Sequence, residues 1–446
     1  MSKISIAFSF FLLLFWACSY DEIQTVEIDE AELLRLVGES SPTGDASNFI
    51  LPDGNVLSQI PQDPKNPLTF QKIALGRLLF FETGLAKLPV KLTGLDTYSC
   101  SSCHIPSAGF KPGRFQGIAD GATGFGISGE TRSIRSDYQE TELDAQGTRP
   151  LSLLNVAFVE NTSWNGQFGS GGANVGTEDL WSEEDMTEVN HLGFAALESQ
   201  NIEGMEVHRF HVDQALMDEL GYTQLFNMSF PEIEESERFN NLTASLAISA
   251  YLRSLITNKA PFQEWLKGKV DAMSNQQKRG ARLFFGKANC SKCHKNPNLG
   301  ADEFFALGVN DLDQRGGLNT GPNDRRNFGR GGFTKESIDN YKFKVPQLYN
   351  MKNAPFFFHG SSKESLDEVI EYFNNAIPEN SRVPASQIAP IIRPLNLSDQ
   401  EKEDLKSFLE DALYDPFINR YVPTQVRSGN CFPNNDIQSQ IDLNCN

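Results

Sequence analysis

The chain has 446 residues, more than one hydrophobic core comfortably organises, and its 39% hydrophobic and 22% charged residues describe folded protein, not a disordered chain. A net charge of −19 argues against nucleic acid and anionic lipid surfaces as partners and suits either plain solubility or the steering of a basic electron-carrier protein.

Lys3 precedes an apolar run from Ile4 to Ala17, too short to span a membrane and laid out like a signal-peptide core. The run ends at Phe15-Trp16-Ala17-Cys18, which resembles a lipobox, with Phe15 where leucine is usual. Export is therefore expected, with Cys18 lipidated, contact with the membrane only through that anchor, and a periplasmic or cell-envelope location. Residues 19–65, acidic and rich in Pro42, Gly44, Pro52, Gly54, Pro61 and Pro64, read as a tether.

Gln71 to Phe81 and Gln277 to Phe285 both predict amphipathic helices, the second opened by a capping box at Ser274 and Gln277. Each leads into a Cys-x-x-Cys-His motif: Cys100, Cys103, His104 and Cys290, Cys293, His294. In such a motif the cysteines form thioethers to haem and the histidine binds the iron. A zinc or dithiol site is the alternative, but two copies ending in histidine, in an exported chain, point to two covalently bound c-type haems. Further helices are expected from Leu242 to Ile256, with Pro261 as a stop, and after the Ser398/Glu401 capping box, where Leu405, Phe408, Leu409, Ala412 and Leu413 recur at helical spacing.

The expected fold is mainly α: two cytochrome c-like haem domains packed together, with long irregular loops at Gly109–Gly129 and Gly308–Gly332. Those loops lack a phosphate-loop lysine pattern, so a nucleotide site is not expected. The divisions are a signal at 1–18, a tether at 19–65, haem domains at 66–245 and 246–420, and a tail at 421–446 with a disulfide between Cys431 and Cys445.

What a haem does depends on its open face, where a second strong ligand gives electron transfer and an open position admits peroxide. The remaining histidines are His191, His208, His211 and His359, none directly after the first motif. A carboxylate can move the proton between peroxide oxygens, and Glu203, Glu206 and Glu198 are the sequence candidates.

From about 61 to 415 the chain resembles the bacterial dihaem cytochrome c peroxidase family, which includes the methylamine-utilisation enzyme that matures tryptophan tryptophylquinone. The resemblance rests on Asn66-Pro67-Leu68-Thr69, Ala74 to Phe81, the Cys100 to Phe110 loop, Leu153 to Phe158 with Trp164-Asn165-Gly166, Lys344 to Asn350, and Ala354 to Gly360. It implies a peroxidatic haem on His104 and an electron-transfer haem on His294. It also implies Trp164 as the bridge between them, Glu203 (in Asn201-Ile202-Glu203-Gly204-Met205) as the distal acid-base group with Glu206 second, and His359 near the second haem. Calcium between the domains is implied too, held in the segment of Asn353 and Pro355, with the family's asparagine ligand displaced around Arg149 and Pro150.

One departure is plain: Phe373 stands where the family has a methionine or tyrosine ligand to the second iron, so either this haem has no side-chain ligand at that position or Tyr372, Met351 or Met273 substitutes. The expected activity is reduction of hydrogen peroxide to water with electrons from cytochrome c or a small copper protein, by a homodimer. Its rivals are a dihaem oxidase acting on a protein or organic substrate and a non-catalytic dihaem electron carrier.

Overall fold

The computed structural model describes residues 29–445; the signal segment and Cys18 lie outside the described residues. The first helix, α1 (Glu30–Glu39), is capped by the Asp29 carboxylate and buries Leu33 and Val37, one turn apart. The longer helices that follow are α2 (Phe70–Phe81), α3 (Ala196–Val207), α4 (Asn241–Arg253), α5 (Asn275–Phe285), α6 (Leu366–Asn375) and α7 (Asp399–Ser407).

The fold is mainly helical. Among the described residues strand is confined to two-residue antiparallel pairings, β1 (Ala122–Thr123) with β2 (Ser133–Ile134) and β3 (Phe304–Phe305) with β4 (Phe343–Lys344). Among the described residues no helix is long and apolar enough to cross a membrane.

The internal repeat is structural. Helices α2 and α5 each carry Gly-x-x-x-Phe-Phe, with Gly76, Phe80 and Phe81 matching Gly280, Phe284 and Phe285. Each glycine lets a second helix approach: a Cβ on Gly76 would lie 1.8 Å from Ala247 O of α4, and one on Gly280 2.0 Å from Asp404 O of α7. The paired phenylalanines then anchor separate cores. Phe80 and Phe81 pack with Phe110 and Tyr251, while Phe284 and Phe285 pack with Phe262 and Phe408. Helix starts follow the sequence signals, with Thr69 capping α2 and the Ser274/Gln277 and Ser398/Glu401 boxes capping α5 and α7.

Two expected boundaries differ from the structure. The described part of the tether is folded: Leu33, Val37, Phe49, Leu51 and Ile60 are all buried in the second core. Proline and glycine content signals turns there, but turns do not prevent five apolar side chains from finding a core. The division at 245/246 falls inside α4, which stays continuous because it is the helix on which α2 packs.

The tail returns to the first unit. Cys431 and Cys445 form a disulfide, Ser99 Oγ donates to Pro433 O at 2.9 Å, and Asp436 accepts from Thr123 Oγ1 at 2.6 Å and faces Arg132 at 3.6 Å. Residues 431–445 thus strap the loop that carries Cys100 and Cys103.

Candidate active site

Each Cys-x-x-Cys-His loop folds as a single 3₁₀ turn, Cys100–Ser102 and Cys290–Lys292, with the histidine N–H donating to the first cysteine carbonyl at 3.2 Å and 3.0 Å. His104 Nδ1–H donates to Phe110 O at 3.2 Å and His294 Nδ1–H to Leu299 O at 2.7 Å. A carbonyl only accepts, so each proton sits on Nδ1 and each Nε2 keeps a free lone pair. Burial pulls both imidazoles down to about 4, which keeps them neutral. The four motif cysteines are unpaired, and no three His, Cys, Asp or Glu side chains gather into a metal cluster among the described residues. That is not the donor set of a zinc site.

Both histidines line one continuous cavity of about 890 Å³, together with Cys290, Cys293 and Trp164. Its cations fit a haem. Lys111 and Arg149 line it without a carboxylate partner among the described residues, and Nη1 of Arg149 is buried with no hydrogen bond. Half-buried Arg114, in the first haem loop, also leaves Nη1 buried and unbonded. Haem carries two propionate carboxylates, which would supply a counter-charge for cations such as Lys111 and Arg114. Burial, aided by the charge of Arg149, pulls the Lys111 ammonium down to about 7, the mark of a cation short of a partner.

At the first haem's end, α3 and the turn after it contribute Gln200 and His208 to the wall. His208 Nδ1 lies 2.7 Å from Asp144 Oδ2, so its Nδ1–H donates to the carboxylate and Nε2 is left free. Burial lowers the pKa of this imidazole, but the charge and hydrogen bond of Asp144 outweigh it and hold the group above its usual value.

The glutamates expected here are elsewhere. Glu203 is half-buried on α3 but does not line the cavity, its carboxyl held high by burial and by the charge of Glu206. Glu206 is exposed. Glu198 is fully buried and paired with Arg253 at 2.5 Å, a structural role. Along α3 the wall takes Gln200 and, just past the helix end, His208, while Glu203 lies toward Glu206, Glu183 and Glu188. Sequence reasoning passed over Gln200 and His208 because it sought a carboxylate, or a histidine immediately after the motif.

Trp164 is half-buried on the shared wall, its indole N–H donating to Arg149 O at 2.6 Å and its carbonyl accepting from Lys344 N at 2.8 Å. The His359 ring meets Trp164 edge-on at 6.1 Å and stacks on Phe343 at 3.5 Å, while its Nε2 is engaged by Asp311 at 2.9 Å. His359 therefore builds the wall beside the tryptophan.

At the second haem's end, α6 offers Leu366, Val369, Ile370 and Phe373, an apolar face with no atom able to bind iron. The Tyr372 hydroxyl is turned away and donates to Leu307 O. Met273 is buried in the second core off the cavity, and Met351 lies on the cavity wall.

Calcium does not fit the junction. Asn353 Nδ2 donates to Ser107 O at 2.9 Å and its Oδ1 is unbonded, but no carboxylate cluster stands nearby among the described residues, and the Arg149 guanidinium occupies the neighbouring carbonyls, including that of Phe356, next to Pro355. Calcium takes about 6–8 oxygens, with carboxylates prominent among them.

Residues 70–271 match the family model described as Di-haem cytochrome c peroxidase. The chain is 28% identical over 362 residues to the methylamine utilization protein MauG of Methylorubrum extorquens, covering 80% of this chain and 82% of that one. It is 25% identical over 418 residues to the cytochrome-c peroxidase IdrP1 of Denitromonas iodatirespirans, covering 89% and 95%. The fold is shared with the crystal structure of a MauG-like protein associated with microbial copper homeostasis, at a TM-score of 0.58 and 22% identity over 83% of this chain and 95% of that one. Residues 70–271, which hold the first haem motif and Trp164, thus match the di-haem cytochrome c peroxidase family, and the chain as a whole is similar to its MauG and cytochrome-c peroxidase members.

Proposed function

We propose that the protein is a dihaem c-type peroxidase that reduces hydrogen peroxide to water with electrons from a small redox protein, a cytochrome c or a small copper protein. The observation that carries this reading is the single cavity on which both motif histidines, Trp164 and an Asp144-held His208 converge. The relative named as a cytochrome-c peroxidase supports peroxide as the oxidant. In this reading the chain works in the periplasm or cell envelope, tethered through Cys18, as a homodimer.

Cys100, Cys103 and His104 would hold a haem whose iron offers a peroxide-binding position, and Cys290, Cys293 and His294 would hold a second haem that serves as an electron store. The protein's own part is proton handling and orientation. His208, whose Nε2 has no hydrogen-bond partner among the described residues, takes in its neutral form the proton of the inner peroxide oxygen and returns it to the outer one, which leaves as water. Asp144 fixes the tautomer and steadies the charge that the ring carries in between. Gln200 adds an amide beside it to orient the peroxide. Two electrons and two protons in all convert one hydrogen peroxide into two waters, and Trp164 stands where electrons cross from the second haem to the first.

His208→Gln, assayed for peroxide reduction with a reduced cytochrome c, is expected to lose about 10²–10⁴-fold in turnover. Glu203→Gln is expected to keep it. Undiminished turnover in His208→Gln would end this assignment. A second reading, oxidation of a protein or organic substrate, is favoured by the apolar α6 face, where the family's methionine or tyrosine is replaced by Phe373.

A further inference from the structure

We infer that Arg149 is the built-in cation of the junction between the two haem units, a guanidinium taking the place of a bound divalent metal. The residue is 2% exposed and spends its donors on carbonyls from both sides. Nη2 donates to Pro112 O of the first haem loop at 3.0 Å, Nε to Phe356 O of the second unit at 3.1 Å, and the backbone N–H to His359 O at 2.8 Å. Its own carbonyl accepts the Trp164 indole N–H at 2.6 Å. One residue therefore ties the first haem loop, the segment leading to α6, and the tryptophan between the haems.

The charge balance explains why a metal is not needed. Carbonyl oxygens converging from two chain segments create a patch of partial negative charge that needs a cation. Arg149 supplies one and is paired with no carboxylate of the described residues, so the carbonyls of Phe356 and Pro112 take up its Nε and Nη2 donors while Nη1 stays unbonded. Lys111 lines the same cavity with no carboxylate partner among the described residues, so positive charge already accumulates here. A dication beside an unpaired guanidinium in this low-dielectric setting is repelled. Asn353 Oδ1 stays unbonded, one oxygen against the several that calcium requires. The inference stands whether the oxidised substrate is a cytochrome or another molecule, because it concerns how the two units are held in register.

The test uses the holoprotein with both haems. Metal analysis of the wild type is expected to find no stoichiometric calcium, and neither a chelator nor added calcium should change its haem absorption spectrum or melting temperature. Arg149→Asn frees the Phe356 and Pro112 carbonyls and is expected to melt lower than the wild type in chelator and to recover part of that loss when calcium is added. Arg149→Lys, which keeps a cation, should lose less. A wild type that holds one calcium per chain, or whose spectrum or melting shifts on chelation, would overturn the inference. So would an Arg149→Asn protein as stable in chelator as the wild type. If Arg149→Asn does not fold, the wild-type chelation arm decides alone.

Discussion

Asp144 Oδ2 stands 2.7 Å from His208 Nδ1, and the two come from loops 64 residues apart. Asp144 is held by backbone pairing, its N–H donating to Asp120 O at 3.1 Å and its carbonyl accepting from Ala119 N at 2.9 Å, so the carboxylate is presented by a rigid loop. Asp144→Asn preserves the shape and removes the charge that raises the imidazole. Turnover with peroxide should fall by about 10–100-fold, the typical cost of removing a carboxylate behind a working histidine, and the pKa of His208 should fall with it. Steady-state rates that match the wild type would show that Asp144 serves only to build the loop.

Trp164 links the two ends of the cavity through a hydrogen bond and two edge-on ring contacts, to Phe343 at 6.5 Å and His359 at 6.1 Å. Trp164→Phe keeps the aromatic ring and loses the indole donor, leaving Arg149 O without that partner at a cost of about 1–3 kcal/mol. In stopped-flow absorption, the haem on His104 should still react with peroxide at the normal rate, while oxidation of the haem on His294 should slow. Equal rates for both phases would remove Trp164 from the electron path.

Phe373 presents a ring to the cavity from α6, with Val369 and Ile370 beside it. Placing a thioether there should create a His/Met site, and sulfur ligation raises the potential of a c-type haem. Phe373→Met is thus expected to raise the midpoint potential of the second haem in a redox titration and leave the first unchanged. No shift would mean that another group, with Met351 the nearest thioether on the wall, already occupies that face.

The parts of this molecule that follow local rules were legible in the sequence. The two Cys-x-x-Cys-His loops, the capping boxes before α5 and α7, the tail disulfide and the tryptophan on the wall shared by both motif histidines each depend on residues close together in the chain or on a recognisable segment. What escaped depends on long-range geometry. Gln200 and His208 share a wall because α3 is rotated so that Glu203 faces elsewhere, and no local signal distinguishes those rotations on a helix with little amphipathic contrast. The folding of residues 30–60 onto the second core escaped for a similar reason: Phe49 packs on Phe285 and Leu51 N–H donates to Gln263 Oε1, both partners more than 200 residues away. Arg149 reads as an ordinary basic residue until the carbonyls of Pro112 and Phe356 are seen to converge on it.

The tail strap gives an acid-sensitive element whose sign is fixed by the groups around Asp436. Burial of this side chain raises its pKa, but hydrogen bonds from Ser439, Thr123 and Gly124 and the charge of Arg132 win, so the folded carboxyl lies below its usual value. A depressed folded pKa contributes stability above the unfolded value, about 3.9, and that stability is lost as pH falls through the folded pKa. Residues 431–445 should therefore release from the first haem loop only in the acid limb, below about pH 4, with increased amide exchange at Thr123 to Gly126 as the readout. Asp436→Asn removes that part of the acid dependence. It also strands the buried Arg132 charge at neutral pH, where breaking a buried pair costs about 3–5 kcal/mol; the Ile118 and Ala119 carbonyls that accept from Arg132 at 2.6 Å and 2.7 Å reduce that loss. An Asp436→Asn tail that docks at neutral pH as firmly as the wild type, with the same acid release, would show that the disulfide and the Ser99 contact hold the strap without this ion pair.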